Sequence, residues 1–556
     1  MAASNSPAEQ LITENIDIWT SAIKKRGSQG RGSSKKIELY GIKKLRELIL
    51  ELAVRGLLVP QDPNDEPASV LLEKVAAEKE QLIKDGKIKK QKALPEISED
   101  EKPFELPLGW EWMHFGRAYE LEYGNNLPQA KRSNSGEYPV YGSNGIVGTH
   151  NEYCVENPCI VVGRKGSAGA LNLENGHGCW VTDVAYSITP PTSLLLRFVL
   201  IQLHTLGLES LGKGIKPGLN RNEAYKLCLA FPPEAEQPRI VAKVDELMAL
   251  CDQLEQQTES SLSAHQTLVE TLLNTLLNAD QNSFDQAWER IAQHFDVLFT
   301  TEHSIDQLKQ TILQLAVMGK LVPQDPNDEP ASVLLEKIAA EKEQLIKNKV
   351  IKKQKTLPPI GDDEKPFELP VGWKWVRLGS IISLISGQHL KPSEYFETKS
   401  ENAVPYITGP AEFGVLNPTY SKFTNEKRAL AEDGDILITC KGSGLGKWNI
   451  AHETIAISRQ LMAIRPINLD EEYLRLIIDS KYELFQSKGV GIAIPGISRE
   501  DITEVLIGLP SEAELHRITE KVSKLMLICI GLKDRIRKSQ TTQIHLADVM
   551  AEQALL

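Results

Sequence analysis

The chain has 556 residues, with 63 Lys and Arg against 75 Asp and Glu, a formal net charge of -12, 41% hydrophobic and 25% charged residues, a profile of three or four globular domains. No apolar run approaches the ~18 residues of a membrane span. The opening MAASNSPAEQLITENIDIW lacks the basic-then-apolar order of a secretory signal. Seven cysteines without a CxxC pair fit reduced structural thiols in a cytoplasmic protein and argue against zinc. An acidic balance also speaks against a nucleic-acid binder.

Residues 1–36 form an extension with no assigned role; Lys24, Lys25, Arg26, Arg31, Lys35 and Lys36 lie there among Gly and Ser. From 41 to 54, Ile42, Leu45, Ile49 and Leu52 fall at spacings of three and four, which predicts a helix. Gly56 fits its stop. Residues 65–85 predict a second helix with Pro67 in its first turn, where a missing amide hydrogen costs nothing. A connector over 86–109 follows, rich in Lys and Pro. Its region carries Lys84, Lys87, Lys89, Lys90 and Lys92, and Lys347, Lys349, Lys352, Lys353 and Lys355 repeat them. Such runs read as solvated linker or as backbone contacts to DNA.

Segment 113–233 shows short β-like runs, CIVVG (159–163), WVTDVAYSI (180–188) and KLCLAF (226–231), between Gly and Asn turns. From Glu236 to Asn278 a long helical pattern follows, with Leu247, Cys251, Leu254, Leu268, Leu272 and Leu276 on one seam.

Then the chain repeats itself. Residues 51–112 match 314–375 at 49 of 62 positions with a constant offset of 263, an internal duplication. EAEQPRIVAKVDELMALCDQLE (234–255) matches EAELHRITEKVSKLMLICIGLK (512–533) at an offset of 278. The two intervening segments share little sequence. The second, 376–511, offers GDILITC (434–440), TIAISRQLMAI (454–464) and TEVLIGLP (503–510) as strands. The predicted fold is α+β: two sheet-dominated domains, 109–233 and 372–511, set between helical regions at 37–108, 234–371 and 512–556. By duplication the last helix pairs with the first, closing a frame of approximate two-fold symmetry.

Candidate chemistry sits in the variable segments. GRKGSAGA (163–170) and CKGSGLGK (440–447) are Gly-rich loops carrying Arg164, Lys165 and Ser167, or Lys441, Ser443 and Lys447. Glycine lets backbone approach another chain, and the cations neutralise phosphate; a tight turn with surface lysines is the equally open alternative. Lys213, Lys216, Asn220 and Arg221 form a second cluster, with Lys488, Ser498 and Arg499 at the corresponding place. Arg reads guanine and Asn adenine; a capped helix start is the other reading of Asn220. Tyr141, Ser143 and Asn144 lie in a turn-rich loop, where a plain hairpin turn competes. GLESLGK (207–213) resembles a phosphate-binding loop, but Gly214 stands where Ser or Thr is required.

Together with the marks YPVYGSNGIVG (138–148), GLNRNEAYKLCLAFPPEAEQ (218–237), VPYITG (404–409) and PGISREDITEVLIGLPSEAE (495–514), this organisation resembles the specificity subunit of type I restriction-modification systems over nearly the whole chain. The resemblance implies that the variable segments are target recognition domains, each reading half of a bipartite asymmetric DNA sequence, with the helices as spacer. It implies a non-catalytic chain with no cofactor of its own. Two modification (methyltransferase) subunits would dock on the helices and hold S-adenosylmethionine, and restriction/translocase subunits would use ATP and Mg. The residues expected at double-stranded DNA are those of the loops and clusters above, and Arg459. A self-contained nuclease or methyltransferase, or a purely structural coiled-coil adaptor, are the rivals. No catalytic motif stands out for the first, and the second needs no pair of diverged sheet segments. The charge count resolves by segment: 109–233 holds 10 basic and 10 acidic side chains and 372–511 holds 15 and 17, so the acidic excess lies mainly in the frame.

Overall fold

The computed structural model describes residues 7–25, 37–90, 94–212, 218–442, 444–488 and 496–555. The chain divides into two compact units, 1–263 with 538–556, and 264–537. No helix among the described residues is long and apolar enough to cross a membrane.

In the first unit the predicted stripe forms the helix Tyr40–Val54, which ends before Gly56 at φ +71°. Ile42, Leu45, Ile49 and Leu52 are buried against Ile240, Val244, Leu247, Cys251 and Leu254 of the helix Glu236–Asn278. Ala547 and Ala551, near the end of the helix Glu512–Ala554, join the same core, and the Tyr40 hydroxyl donates to Asp548 at 2.6 Å. The last helix therefore does pair with the first. Arg46 clamps the seam from outside, 2.7 Å from Asp252 and 2.8 Å from Glu255.

Within the extension, residues 11–22 contribute to this core. Helices Pro7–Glu14 and Ile16–Ser21 bury Ile12 and Trp19 beside Ile42. The second unit places Gln281–Gln293 and Phe295–Leu298 before the helix Glu302–Val317, with Ile291 and Leu298 buried. These helices lie between the long helix ending at Asn278 and the helix Glu302–Val317. Ile12, Asp17 and Trp19 correspond to Ile291, Asp296 and Leu298, each 279 residues on, so the duplication extends back to Ile12. In the second unit Ile305, Leu308, Ile312 and Leu315 take the roles of Ile42, Leu45, Ile49 and Leu52, packing with Val269, Leu273, Ile518 and Val522.

The two recognition segments share a similar topology, the second with one strand more. In the first, a four-stranded antiparallel sheet runs Glu122–Tyr123, Ala185–Ile188, Cys159–Gly163, Leu171–Glu174. A three-stranded sheet runs Gly145–His150, Tyr138–Gly142, Trp180–Val181, its last pair parallel. In the second, Ile382–Ser386, Leu461–Pro466, Ile436–Thr439 and Trp448–Ile450 form the first sheet. Phe423–Thr424, Val404–Ile407, Ile455–Ile457 and Leu430–Ala431 form the other, again with one parallel pair. Each domain is tied off by a two-stranded ladder, Glu111–His114 with Cys228–Phe231, and Lys374–Arg377 with Leu506–Leu509.

Two predicted strands need correction. WVTDVAYSI and TIAISRQLMAI are not single strands; each breaks at a polar corner, Thr182–Val184 and Ser458–Gln460, and passes from one sheet to the other. All seven cysteines are free, with the Sγ atoms of Cys159 and Cys179 3.9 Å apart across buried strands.

Candidate nucleic-acid interface

The Gly-rich loops, the sheet-to-sheet corners and the short helices before the last strand meet at one place in each recognition domain. In the first, the backbone N–H groups of Arg164 and Lys165 both donate to the Val184 carbonyl, at 2.9 and 3.1 Å, and Leu219 N–H donates to the Arg164 carbonyl at 2.9 Å. In the second, Cys440 N–H donates to the Gln460 carbonyl at 2.7 Å and Ile497 N–H to the Cys440 carbonyl at 2.9 Å. Lys165 pairs across a bridge with Gly218 as Lys441 does with Gly496. The loops thus occupy equivalent positions although their sequences have diverged.

Glycine is required where the first loop closes. A Cβ on Gly163 would lie 2.0 Å from the Ser167 carbonyl oxygen and 2.4 Å from that of Ser143. The loop and the hairpin turn bearing Ser143 and Asn144 are therefore in backbone contact, with Asn144 exposed at the tip. Tyr141, expected at the duplex, is instead 6% exposed and donates its hydroxyl to Glu174 at 2.9 Å. It braces the hairpin from inside rather than reaching outward, because strand alternation turns it into the sheet interface.

The arginines are anchored. Arg164 Nη1 donates to the Asp183 carbonyl at 2.8 Å, and its guanidinium stands 4.7 Å from the Tyr123 ring centre. Arg221 stands 5.0 Å from the same ring, and its Nη1 donates to the Leu121 carbonyl at 3.3 Å. Stacking two guanidiniums on one half-exposed ring fixes both planes. Arg499 donates to Ser386 Oγ at 2.7 Å and to the Leu384 carbonyl at 2.9 Å. Arg221 and Arg499 therefore both tie a short helix to the first strand of the recognition sheet or the residue before it, Leu121 ahead of Glu122–Tyr123 or Leu384 and Ser386 in Ile382–Ser386.

Those helices are capped as their sequences allow. Asn220 accepts from Asn222 N–H at 3.0 Å, starting the helix Arg221–Ala224. Ser498 accepts from Asp501 N–H at 3.1 Å at the head of Arg499–Thr503. Lys488 is 2.7 Å from the Asp501 carboxylate. Among the remaining expected residues, Lys165, Lys441, Lys447 and Arg459 are exposed, and Ser167 is half-buried in its loop. Lys213, Lys216 and Ser443 lie outside the described residues, as do Arg26, Arg31, Lys35, Lys36 and Lys92 of the basic runs. The approach to GLESLGK is the helix Leu196–Thr205, not a strand, so the phosphate-loop geometry is absent there.

Two members of the site were not read from sequence: Tyr123, the ring under both arginines, and Asp183, at the corner. The polar pairs Thr182-Asp183 and Ser458-Arg459, each interrupting an apolar run, are the signal that marks the corners.

A family model described as the type I restriction modification DNA specificity domain matches residues 107–264 and 370–539. The specificity subunit of the type I restriction enzyme EcoEI from Escherichia coli is 41% identical over 98% of this chain and 99% of its own length. That of EcoAI, also from Escherichia coli, is 41% identical over 98% of this chain and 99% of its length. A solved chain, from a structure of complex assembly and conformational transition of the type I R-M system, is 20% identical and covers 82% of this chain and 99% of that one, with a TM-score of 0.49.

Proposed function

The chain belongs to the family of type I restriction-modification specificity subunits, with two recognition domains, and from that premise we propose that each domain reads one half of a bipartite, asymmetric double-stranded DNA target. The observation that carries this reading is the equivalence of the two Gly-rich loops. One backbone frame, hydrogen-bonded in the same way around Arg164 and Cys440, presents diverged side chains in its two copies. That is the arrangement expected of two readers that share a docking mode and differ in the bases they select.

The chain acts by recognition and assembly, not catalysis. The duplicated helices serve as spacer and as seats for two modification subunits, which hold S-adenosylmethionine; restriction subunits using ATP and Mg join them. The setting is the cytoplasm. Two halves read from one face of the duplex lie about one helical turn, ~10 bp, apart. The exposed Lys165, Lys441 and Lys447 contact phosphates, while Arg164, Arg221 and Arg499 order the loops that carry them.

The test exchanges residues 113–233 for the corresponding segment of a relative and maps methylated bases in DNA modified by the assembled complex. The expected result is a change in one half of the target with the other half and the spacing retained. Methylation by the chain alone, or a target indifferent to the exchange, overturns the reading.

A further inference from the structure

We propose that Asp183 and Arg459 are equivalent, charge-inverted specificity determinants: Asp183 accepts from a base edge that offers an amino group, as cytosine does, and Arg459 donates to the acceptor edge of guanine. The inference deepens the function proposed above and rests on it.

The equivalence is a matter of backbone hydrogen bonds. Thr182 N–H donates to the Tyr141 carbonyl at 3.0 Å, and Ser458 N–H to the Ile407 carbonyl at 2.9 Å. The strands that hold those carbonyls run parallel to the strand entering each corner, with Tyr141 opposite Val181 and Ile407 opposite Ile457. Asn125 N–H donates to Val181 at 2.8 Å, and Gln388 N–H to Ile457 at 2.9 Å. On the far side, the Val184 and Gln460 carbonyls accept from the Gly-rich loops at 2.9 and 2.7 Å. One residue stands between these fixed points in each domain: Asp183 or Arg459.

The chemistry follows from the sign change. A position that only neutralises phosphate keeps a positive side chain in both copies, as Lys165 and Lys441 do one loop away. A carboxylate at such a position would be repelled by the duplex backbone. Asp183 is retained with its side chain 46% exposed, and Lys165 Nζ, 3.9 Å away, offsets the repulsion. A carboxylate presented toward DNA with its own counter-ion has one productive partner there, an amino donor on a base edge. Arg459, exposed at the same corner, presents the complementary donor set, which matches guanine. The corner is held by main-chain bonds together with the Thr182 and Ser458 hydroxyls, which donate to the Tyr141 and Thr408 carbonyls, and the Arg164 guanidinium, which donates to the Asp183 carbonyl. The Asp183 carboxylate and the Arg459 guanidinium take no part in it, so both can vary with the target.

The experiment selects bound sequences from a randomised duplex pool, using the full chain assembled with its modification subunit, as wild type, D183N, D183R and R459Q. D183N is expected to relax preference at one base pair of one half-site by roughly tenfold, leaving the other half unchanged. D183R is expected to move that position toward guanine, and R459Q to relax one G·C pair of the other half. Equal weakening of all sequences, or unchanged preferences with the wild-type motif intact, overturns this inference alone. A wild-type complex that selects no bipartite motif overturns the function reading, and this inference with it. Melting temperatures equal to wild type show that the variants are folded.

Discussion

The indole Nε1 of Trp110 donates to the Glu236 carboxylate at 3.1 Å, and Trp110 is 5% and Glu236 0% exposed. The other carboxylate oxygen accepts from Gln61 Nε2 at 3.3 Å, and Gln61 also donates to the Gly56 carbonyl at 2.7 Å. One carboxylate thus joins the end of the first helix, the turn leading into the recognition domain and the start of the long helix leaving it. The second unit repeats the node: Trp373 donates to Glu514 at 2.8 Å, and Gln324 donates to Glu514 at 2.6 Å. Among the described residues neither carboxylate forms an ion pair, and burial pushes both acid groups above the ordinary glutamate value.

A pH dependence follows from that direction. A raised folded-state pKa favours the protonated form, so this contribution to stability is full below the ordinary glutamate pKa and is lost as pH rises through the raised value. Thermal melting of the wild type is expected to show this loss as pH rises above the ordinary glutamate value. The double variant E236Q/E514Q, which has no charge to bury, loses less over the same range. Parallel melting curves for the two proteins would rule the carboxylates out as its source.

Gly56 and Gly319 are held against this node. At φ +71° and +70°, a Cβ would meet the Trp110 ring at 2.9 Å and the Trp373 ring at 3.0 Å. G56A and G319A are each expected to cost more than about 1 kcal/mol, since left-handed strain and a ring contact add. Denaturant midpoints measure this; a neutral or stabilising G56A would show that the turn relaxes freely.

At the loops, R499A and K441A are expected to separate by readout. R499A removes bonds to Ser386 and Leu384 and lowers the melting temperature along with affinity for every sequence. K441A leaves stability within about 0.5 kcal/mol, as an exposed surface change does, and lowers the salt dependence of DNA binding by about one unit of slope. A K441A protein with altered base preference would make Lys441 a base reader instead.

The frame was legible because the duplication preserves helical periodicity residue by residue, from Ile42 to Leu52 and again from Ile305 to Leu315. The place of residues 7–22 was not. The residues between Ser21 and Tyr40 shift the offset from 263 to 279 and hide the match of Ile12 and Trp19 to Ile291 and Leu298. The corners were missed for a different reason. Apolar runs such as WVTDVAYSI keep β-like composition through the break, and only long-range pairing reveals that the two halves enter different sheets. Within the site, residue types pointed to the loops, where cations and glycines gather. What each guanidinium does depends on Tyr123, Leu121 or Leu384, which no local pattern couples to Arg164, Arg221 or Arg499.

The charge of the recognition segments predicts how the chain binds by itself. With 10 basic against 10 acidic side chains in 109–233, and 15 against 17 in 372–511, neither carries a net positive charge. Several of the cations are also spent internally, Lys488 on Asp501 and Arg221 on Glu120. Counterion release scales with the number of phosphates a protein neutralises, at close to 0.9 per contact. The isolated chain is therefore expected to bind weakly, with a slope of log affinity against log salt of only about two or three. Adding the modification subunit is expected to steepen that slope by several units, because the partner then supplies the missing cations. Anisotropy titrations from about 50 to 200 mM salt, with and without the partner, measure both. A steep slope for the chain alone would place most phosphate contacts on this chain, including the Lys-rich connectors at 84–90 and 347–355.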